Sequence, residues 1–279
     1  MKSTMRINSS GYTLIELLIA MALAAILITG IYQIHGARQK AHTKQKQAVE
    51  MQQNIRAAIS LMKREIRMAG YDPAASDGLD NDEIAGIDND EESAGTGIHI
   101  AGLNMIQFSY DNDADMTVAP GEMVTYGFAN IYDDNKDGIA DAGAAPLGRG
   151  TGAGAPIPIA ESIQAVGFAY AFDNNNDGNL DTDDGTINGD IIWAYDSNPT
   201  DGNDQLDRNL ATGSVLTAGL VPLSNIRAVR IWILARTRDP VRGHYDNRTY
   251  AVGDRTISSA DQHPRRLTRT TVYCRNMQL

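Results

Sequence analysis

The chain has 279 residues, of which 42% are hydrophobic, so it is long enough to bury a sizeable core. Its formal net charge of −11 argues against a nucleic-acid-binding protein that works by neutralising phosphates. A single cysteine, Cys274, excludes an intramolecular disulfide and a zinc or iron–sulfur site with several cysteine ligands from one chain.

The charge is segregated along the chain. Residues 1–71 carry a net charge of +7, residues 72–210 carry −25, and residues 211–279 carry +7. Because blocks of like charge say more about organisation than the total does, we expect a basic N-terminal stem, an acidic middle and a basic C-terminal part.

The first predicted element is a long apolar helix. Residues 14–34 contain one charged side chain, that of Glu16. As a helix this run would rise about 30 Å, the thickness of a bilayer's hydrocarbon core. It is longer than the apolar region of a secretory signal peptide, and no small-residue cleavage site in polar sequence follows it. The pattern therefore favours a membrane-spanning helix, in which a carboxylate is expected to have a partner.

The helix is predicted to continue without a break into an amphipathic second half. Gly70 is a typical end for it, and Arg64 and Arg67 would lie favourably near the negative end of the helix dipole. We expect one helix of roughly 55 residues. The second half carries one apolar stripe with helical spacing, formed by Met51, Ile55, Ala58, Ile59, Met62 and Ile66.

The start of the chain resembles the type IV prepilin family. The resemblance rests on Gly11, the following Tyr-Thr-Leu-Ile-Glu at residues 12–16, and the apolar run. It implies that a prepilin peptidase cuts after Gly11 and N-methylates Tyr12, where phenylalanine is commonest in the family. It also implies that Glu16 pairs with the N-terminal ammonium of a neighbouring subunit. Burial among packed helices penalises a lone carboxylate, and such a cation would remove that penalty.

The charges around the span leave its orientation open. Lys2 and Arg6 precede the span, and four basic residues follow it at positions 38, 40, 44 and 46, so the positive-inside rule alone does not place the N-terminus in the cytoplasm. The resemblance implies a single-pass inner-membrane protein whose head lies in the periplasm and later on the pilus at the cell surface.

Later segments are similar to PilW-type minor pilins. These are the end of the stem at residues 67–71 and the runs 163–170, 226–234 and 269–276. The resemblance implies a subunit that helps initiate pilus assembly, with roles in adhesion or motility, and that can cap the tip. Its implied partners are other pilins and minor pilins, the prepilin peptidase and the inner-membrane assembly platform, with no nucleic acid. J-type pseudopilins of type II secretion share much of this pattern and are the nearest alternative.

An enzyme is disfavoured, because the sequence contains no G-x-S-x-G motif and its five histidines form no HExxH pair. A third alternative is a membrane-anchored, calcium-dependent adhesin, in which acidic loops would be the working part.

The organisation predicted from these features is an α+β, pilin-like fold. A leader peptide (1–11), a transmembrane and filament-core helix (12–35) and its amphipathic continuation (36–71) precede an antiparallel β-sheet head with Asp/Asn/Gly-rich loops (72–279). Residues 142–158 are predicted as a Gly/Ala/Pro linker. Strands are predicted at 103–110, 122–132, 163–172, 189–195, 226–236 and 267–274.

One acidic loop, residues 173–184, matches the pattern of a calcium-binding loop. Calcium takes six to eight oxygen ligands, and alternate acidic side chains on a sharply turning loop converge on one point. Gly178 falls where the chain must turn, and the aspartate at the last ligand position reaches less far than a glutamate would. The predicted calcium ligands are Asp173, Asn175, Asp177, Asn179, Asp181 and Asp184.

A second loop, residues 133–141, repeats the first part of this pattern. Its predicted ligands are Asp133, Asn135, Asp137 and Asp141, and Ala144 stands at the last position, so the loop is incomplete. Further acidic runs occur at residues 77–92, 111–115 and 201–207. Asp, Asn and Gly are also ordinary turn formers, which explains one such loop easily. It explains five poorly, since like charges repel one another, so we expect structural calcium.

Overall fold

The computed structural model describes residues 13–74, 95–152 and 154–278. The chain divides into two compact units, Met1–Gln47 and Ala48–Leu279. The predicted leader peptide and the acidic run at 77–92 lie outside the described residues.

Helix α1 is continuous over Leu14–Ile66, a length of 53 residues. A turn follows it, and Gly70 adopts a left-handed φ of +76° that favours glycine. The backbone N–H of Gly70 donates to the carbonyl of Ser109 at 3.1 Å. Gly70 therefore marks the point where the chain joins the sheet, and the helix ends four residues before it.

The head is built on a large antiparallel sheet. This arrangement, with the long helix, confirms the predicted α+β pilin-like class. In order across the sheet, the strands are β1 (Ile98–Ala101), β2 (Ile106–Ser109), β3 (Met123–Gly127), β4 (Ala145–Thr151), β5 (Ile157–Phe172), β10 (Ile226–Arg236) and β13 (Arg265–Tyr273).

Short strands complete the head. β6 (Ala194–Tyr195) pairs with β5 and with β8 (Arg208–Asn209), and β7 (Gln205–Leu206) pairs with β9 (Val221–Pro222). The hairpin β11–β12 is formed by Thr249–Val252 and Arg255–Ser258.

The apolar stripe of α1 packs on one face of the sheet, as predicted. Its members are buried, except Ile59, which is partly buried. They share one hydrophobic cluster with large side chains of the sheet, among them Phe108 and Phe168. Burying each large apolar side chain contributes about 1.5–3 kcal/mol, so this stripe is the main attachment of residues 51–66 to the head.

The opposite face of the sheet is covered by the β11–β12 hairpin. Tyr250 and Ile257 of the hairpin pack with Trp232 and with small residues of β5 such as Ala169. Alanines on this face leave room for the hairpin to approach the sheet closely. Trp193 belongs to the same cluster, so both tryptophans are in the core.

A polar contact joins α1 to the sheet beside the apolar stripe. Oε2 of Glu65 accepts a hydrogen bond from Nε of Arg149 on β4 at 2.8 Å and another from the hydroxyl of Tyr126 on β3. Both charged side chains are largely shielded, with 21% of Arg149 and 13% of Glu65 exposed. Burial raises the pKa of Tyr126, and its bond to Glu65 adds to this, so the tyrosine is a hydroxyl donor at every physiological pH.

The prediction of a linker at 142–158 is wrong, because strand β4 lies within these residues and pairs with both β3 and β5. Gly148 permits this pairing, since a Cβ there would lie 2.7 Å from the side chain of Pro156. Two register irregularities in the β4–β5 pairing accommodate the absence of an N–H at Pro146. Strand β10 has the predicted bounds, whereas only Ala194–Tyr195 of the predicted strand 189–195 forms a strand.

Candidate functional site

The first part of α1 is apolar on every side. The segment Leu14–His35, 22 residues long with a mean hydropathy of 2.6, is long and apolar enough to cross a membrane by length and composition. Its large side chains are exposed, for example 79% of Leu14 and 69% of Ile26. An unbroken apolar surface of this size is typical of a helix that contacts lipid or other helices.

Thr13 and Glu16 form a capping box at the start of α1. The backbone N–H and the hydroxyl of Thr13 each donate to Oε2 of Glu16 at 2.9 Å, and the backbone N–H of Glu16 donates to Oγ1 of Thr13 at 3.3 Å. This reciprocal arrangement satisfies N–H groups that the first turn of a helix leaves unpaired. The sequence Thr-x-x-Glu at the start of the apolar run encodes this motif.

The capping box directs the Glu16 carboxylate towards the beginning of the helix. Gly11 and Tyr12, the predicted cleavage and methylation sites, lie outside the described residues. The apolar segment Leu14–His35 carries one carboxylate, that of Glu16, at its N-terminal end. Chemically this group can accept a hydrogen bond or pair with a cation.

The loop at 173–181 is closed by its own predicted ligands. The two oxygens of Asp173 accept from the backbone N–H groups of Asp177 and Gly178 at 3.2 and 2.9 Å. The Asn175 side-chain oxygen accepts from the same N–H of Asp177 at 3.0 Å. The Asp177 carboxylate accepts from the backbone N–H of Asn179 at 2.8 Å. The first three predicted ligands are thus drawn together on one side of the turn.

The loop at 133–141 has the same hydrogen-bond pattern, residue for residue. Asp133 accepts from the backbone N–H groups of Asp137 and Gly138 at 2.9 and 2.8 Å, and Asn135 accepts from Asp137 at 3.1 Å. The fourth residue of each loop has a left-handed φ, 54° at Lys136 and 55° at Asn176. The two sequences therefore encode one conformation.

The remaining predicted ligands differ between the loops. Asp141 accepts from the backbone N–H of Asp134 at 2.9 Å, across the mouth of its loop. Asp184 accepts from the backbone N–H and the hydroxyl of Thr186, both at 2.9 Å, so its carboxylate is held in a local turn. Burial raises the pKa of both Asp133 and Asp181 above the usual aspartate value. Protons are therefore held more tightly at these two carboxylates than at an exposed aspartate.

A third loop, at 111–122, has the same beginning and was not among the predicted ligand sets. Oxygens of Asp111, Asp113 and Asp115 lie within 4.8 Å of one another. Asp111 accepts from the backbone N–H of Met116 at 3.2 Å, as Asp133 and Asp173 do from their glycines.

Position 12 of this third loop is occupied by Glu122, the residue type that calcium loops favour there. The Glu122 carboxylate accepts from the N–H groups of Asn112 and Ala119 at 2.7 and 2.9 Å. The spacing Asp-x-Asp-x-Asp with Glu at position 12 was visible in the sequence. The loop departs from the calcium-loop pattern at Met116, which stands where the other two loops have glycine and has a φ of 59°.

The other reactive side chains do not form a catalytic group in the described residues. Burial raises the pKa of the Cys274 thiol to about 12, so it is a poor nucleophile. His99 contacts Ser109, 2.6 Å away, and His263 contacts the carbonyl of Thr237, 2.8 Å away.

Comparison with known families identifies the kind of protein. The family model for the type IV pilus-assembly protein W matches residues 133–276, just over half of the chain. The chain belongs to the PilW family. A second model, for the prokaryotic N-terminal methylation motif, matches residues 6–32. The predicted similarity to PilW-type type IV pilins is therefore confirmed, and the family is structural and not enzymatic.

A solved structure is similar to this PilW-family chain. A type IV-like pilin from Thermus thermophilus is similar in structure, with 15% sequence identity, a TM-score of 0.41, and coverage of 81% of this chain and 97% of that one. No curated protein sequence matches the chain. The PilW match contains the loops at 133–141 and 173–184, whereas the loop at 111–122 precedes it.

Proposed function

We propose that this PilW-family protein is a minor pilin that helps initiate pilus assembly and occupies the pilus tip. The observation that carries the proposal is the segment Leu14–His35, apolar on every side and bearing a single carboxylate at its start. In lipid, helices associate through packing and polar contacts, so such a segment suits storage in a bilayer followed by transfer to a helix bundle.

Glu16 supplies selectivity in this transfer. A carboxylate at the centre of a membrane costs on the order of 2.5–3.5 kcal/mol, and less near the interface. Pairing with the Tyr12 amine of a neighbouring subunit would offset that cost in the filament and not in the lipid. A subunit with Glu16 is therefore favoured in the assembly over the free membrane state.

The N-terminal amine required for this pairing exists only after cleavage. We infer that the prepilin peptidase cuts after Gly11 and methylates Tyr12. Gly11→Ala should leave an uncleaved precursor, detected by the mass of the membrane-bound protein. The same variant distinguishes a pilin from a membrane-anchored adhesin, because an adhesin that needs no processing would keep its surface function.

We infer that the head lies in the periplasm before assembly. Cysteine labelling in spheroplasts tests this orientation, because the native Cys274 is buried and should not react with the label. Tyr245 is 65% exposed, so Tyr245→Cys should react with a membrane-impermeant maleimide in intact spheroplasts. Labelling only after lysis would contradict a periplasmic head.

The role at the tip is tested by deletion and localisation. Cells without the protein should assemble few pili, and antibody against the head should label pilus ends. Labelling at regular intervals along the filament would contradict the tip assignment while leaving assembly through α1 intact. Partnership with other pilins and with the inner-membrane assembly platform is tested by crosslinking in the same cells.

We further propose that calcium stabilises the acidic loops. Two observations support calcium binding. The loops at 133–141 and 173–181 share one conformation, and three carboxylates converge at 111–115. Carboxylate and carbonyl oxygens on a turning loop are the donor set that calcium prefers. A bound ion would offset the repulsion among aspartates that otherwise loosens these loops.

A further inference from the structure

A basic groove runs along the head between the second half of α1 and strand β13. Its volume is about 1040 Å³. The floor includes apolar side chains of α1 and the turn after it, such as Ile59 and Met68. The wall opposite the helix is formed by β13 residues, including Thr268 and Thr270.

The groove carries only positive charge. Seven of its lining residues are cationic and none is acidic. Within the described ranges, none of the seven forms an ion pair, and the carboxylate of the neighbouring Glu65 is engaged with Arg149. The cations are Arg56, Lys63, Arg64, Arg67, Arg266, Arg269 and Arg275.

Strand β13 is also a free edge of the sheet. Among the described strands it pairs with β10 alone. Just beyond its two ends, Cys274 donates to the carbonyl of Arg227 at 2.9 Å, and Thr237 donates to the carbonyl of Pro264 at 2.9 Å. In an antiparallel pair, hydrogen-bonded positions alternate, so the even-numbered residues of β13 bond to β10. The odd-numbered residues, among them Arg269 and Thr271, direct their N–H and C=O groups outward.

We propose that this groove binds an extended acidic segment of another polypeptide, which adds to β13 as a further antiparallel or parallel strand. Exposed strand edges recognise extended peptides through main-chain hydrogen bonds, with side-chain contacts giving selectivity. The seven cations select an acidic occupant and repel the β13 edge of a second copy, which prevents edge-to-edge pairing. The proposal concerns the head alone and does not depend on the function of Glu16.

A polypeptide fits these observations better than a nucleic acid or a lipid surface. Either of the latter would use the cations, but neither uses a row of outward N–H and C=O groups at strand spacing. An added strand uses both, and its alternate side chains would lie over the groove. The apolar floor formed with Ile59 and Met68 would contact the stems of those side chains.

The test uses the full chain in detergent micelles and a fluorescent peptide of alternating Glu and Val as the probe. The matched controls are a Lys/Val peptide and the same Glu/Val peptide N-methylated at every residue, which keeps the charge and removes all main-chain donors. We expect the Glu/Val peptide to bind, and each control to bind at least tenfold more weakly. Equal binding by the N-methylated peptide would overturn strand addition without requiring any protein variant.

Protein variants separate charge from backbone pairing. Arg67→Glu with Arg266→Glu should weaken binding at least tenfold, because both line the groove. Thr271→Pro removes one outward N–H and no charge and should weaken binding several-fold, whereas Thr271→Val retains the N–H and should bind normally. Tighter binding of a DNA oligonucleotide or of phosphatidylglycerol vesicles, abolished by the same arginine variants, would assign the groove to that ligand and overturn the proposal.

Discussion

Glu16 accepts both Thr13 hydrogen bonds through one oxygen, Oε2, at 2.9 Å each. Within the described residues this leaves Oε1 available to a cation. The capping box therefore holds the carboxylate at the N-terminal end of α1. The capping hydrogen bonds and the proposed pairing with a cation would therefore use different oxygens of the same side chain.

The charge and the cap can be separated by substitution at Glu16. Glu16→Gln keeps a capping-box acceptor but removes the charge. We expect this variant to be processed normally and to be recovered in sheared pili at a much lower level, as Glu16→Ala should be. The measurement is immunoblotting of the pilus and membrane fractions. Normal incorporation of Glu16→Gln would show that the charge is dispensable.

Thr13→Ala is the matched control for the cap alone. It removes the hydroxyl that caps α1 and should cost about 1 kcal/mol of helix stability. Because the Glu16 charge remains and the rest of the helix is unchanged, we expect incorporation close to that of the native protein. A loss as large as that of Glu16→Gln would indicate that the cap, not the charge, is what assembly requires.

The contact between Glu65 and Arg149 predicts a stability effect in the head. Arg149→Met leaves the shielded Glu65 carboxylate with only Tyr126 as its sheet partner. Loss of one charge-assisted hydrogen bond here should lower the free energy of unfolding by about 1.5–3 kcal/mol. Urea denaturation of the compact unit Ala48–Leu279 measures it, and Arg242→Met, at an exposed position outside the strands, is the control. Equal midpoints for the two variants would contradict this role.

The contacts of Asp246 and Asp261 predict sensitivity to acid. Burial opposes ionisation of Asp246, but hydrogen bonds from Tyr250 and Arg248 outweigh it and lower its pKa to about 2. Two hydrogen bonds from Arg265 hold the pKa of Asp261 well below the usual aspartate range. A lowered carboxylate pKa gives stability that is present above the unfolded pKa of about 3.9 and is lost as the pH falls towards the folded value.

Asp246→Asn should therefore lower the unfolding free energy at pH 7 and have a shrinking effect below about pH 4. The measurement is urea denaturation from pH 7 to pH 2.5 for the native unit and the variant. Asp190→Asn makes the same charge change at an exposed site and should give no such trend. A difference that stayed constant across the pH range would contradict the linkage.

Calcium should raise the melting temperature of the chain. If the loops bind the ion, millimolar calcium compared with a chelator should raise Tm by about 5 °C or more. Asp115→Asn, in the loop whose carboxylates converge, should reduce this rise, whereas Asp190→Asn should not. Magnesium serves as the ion control. Identical melting curves in calcium and chelator would remove the proposal for all three loops.

Sequence patterns predicted the elements whose periodicity is strong. The apolar stripe of α1 and the run at 226–236 lie where expected, because burial on one face requires regular spacing. Strand β4 was missed since Pro146 and the glycines of this strand are typical of linkers, and the close packing of Gly148 against Pro156 is visible only in the structure. The β11–β12 hairpin was also missed, because its strands are only four residues each, too short for a clear alternating pattern.

The candidate site was predictable only where the chemistry is local. The capping box and the calcium-like loops are encoded within a few consecutive residues, so their patterns can be seen in the sequence. The basic groove could not be predicted from the sequence, since it brings together Arg67 and Arg266, which are separated by nearly the whole sequence of the head. Only the sheet order, which places β13 at an edge beside α1, brings those residues together.

The most direct test of the central claim is mass spectrometry of the protein recovered from sheared pili. The account predicts a chain that begins at N-methylated Tyr12 and copurifies with the filaments. Recovery only from membranes, as a chain that still begins at Met1, would contradict it.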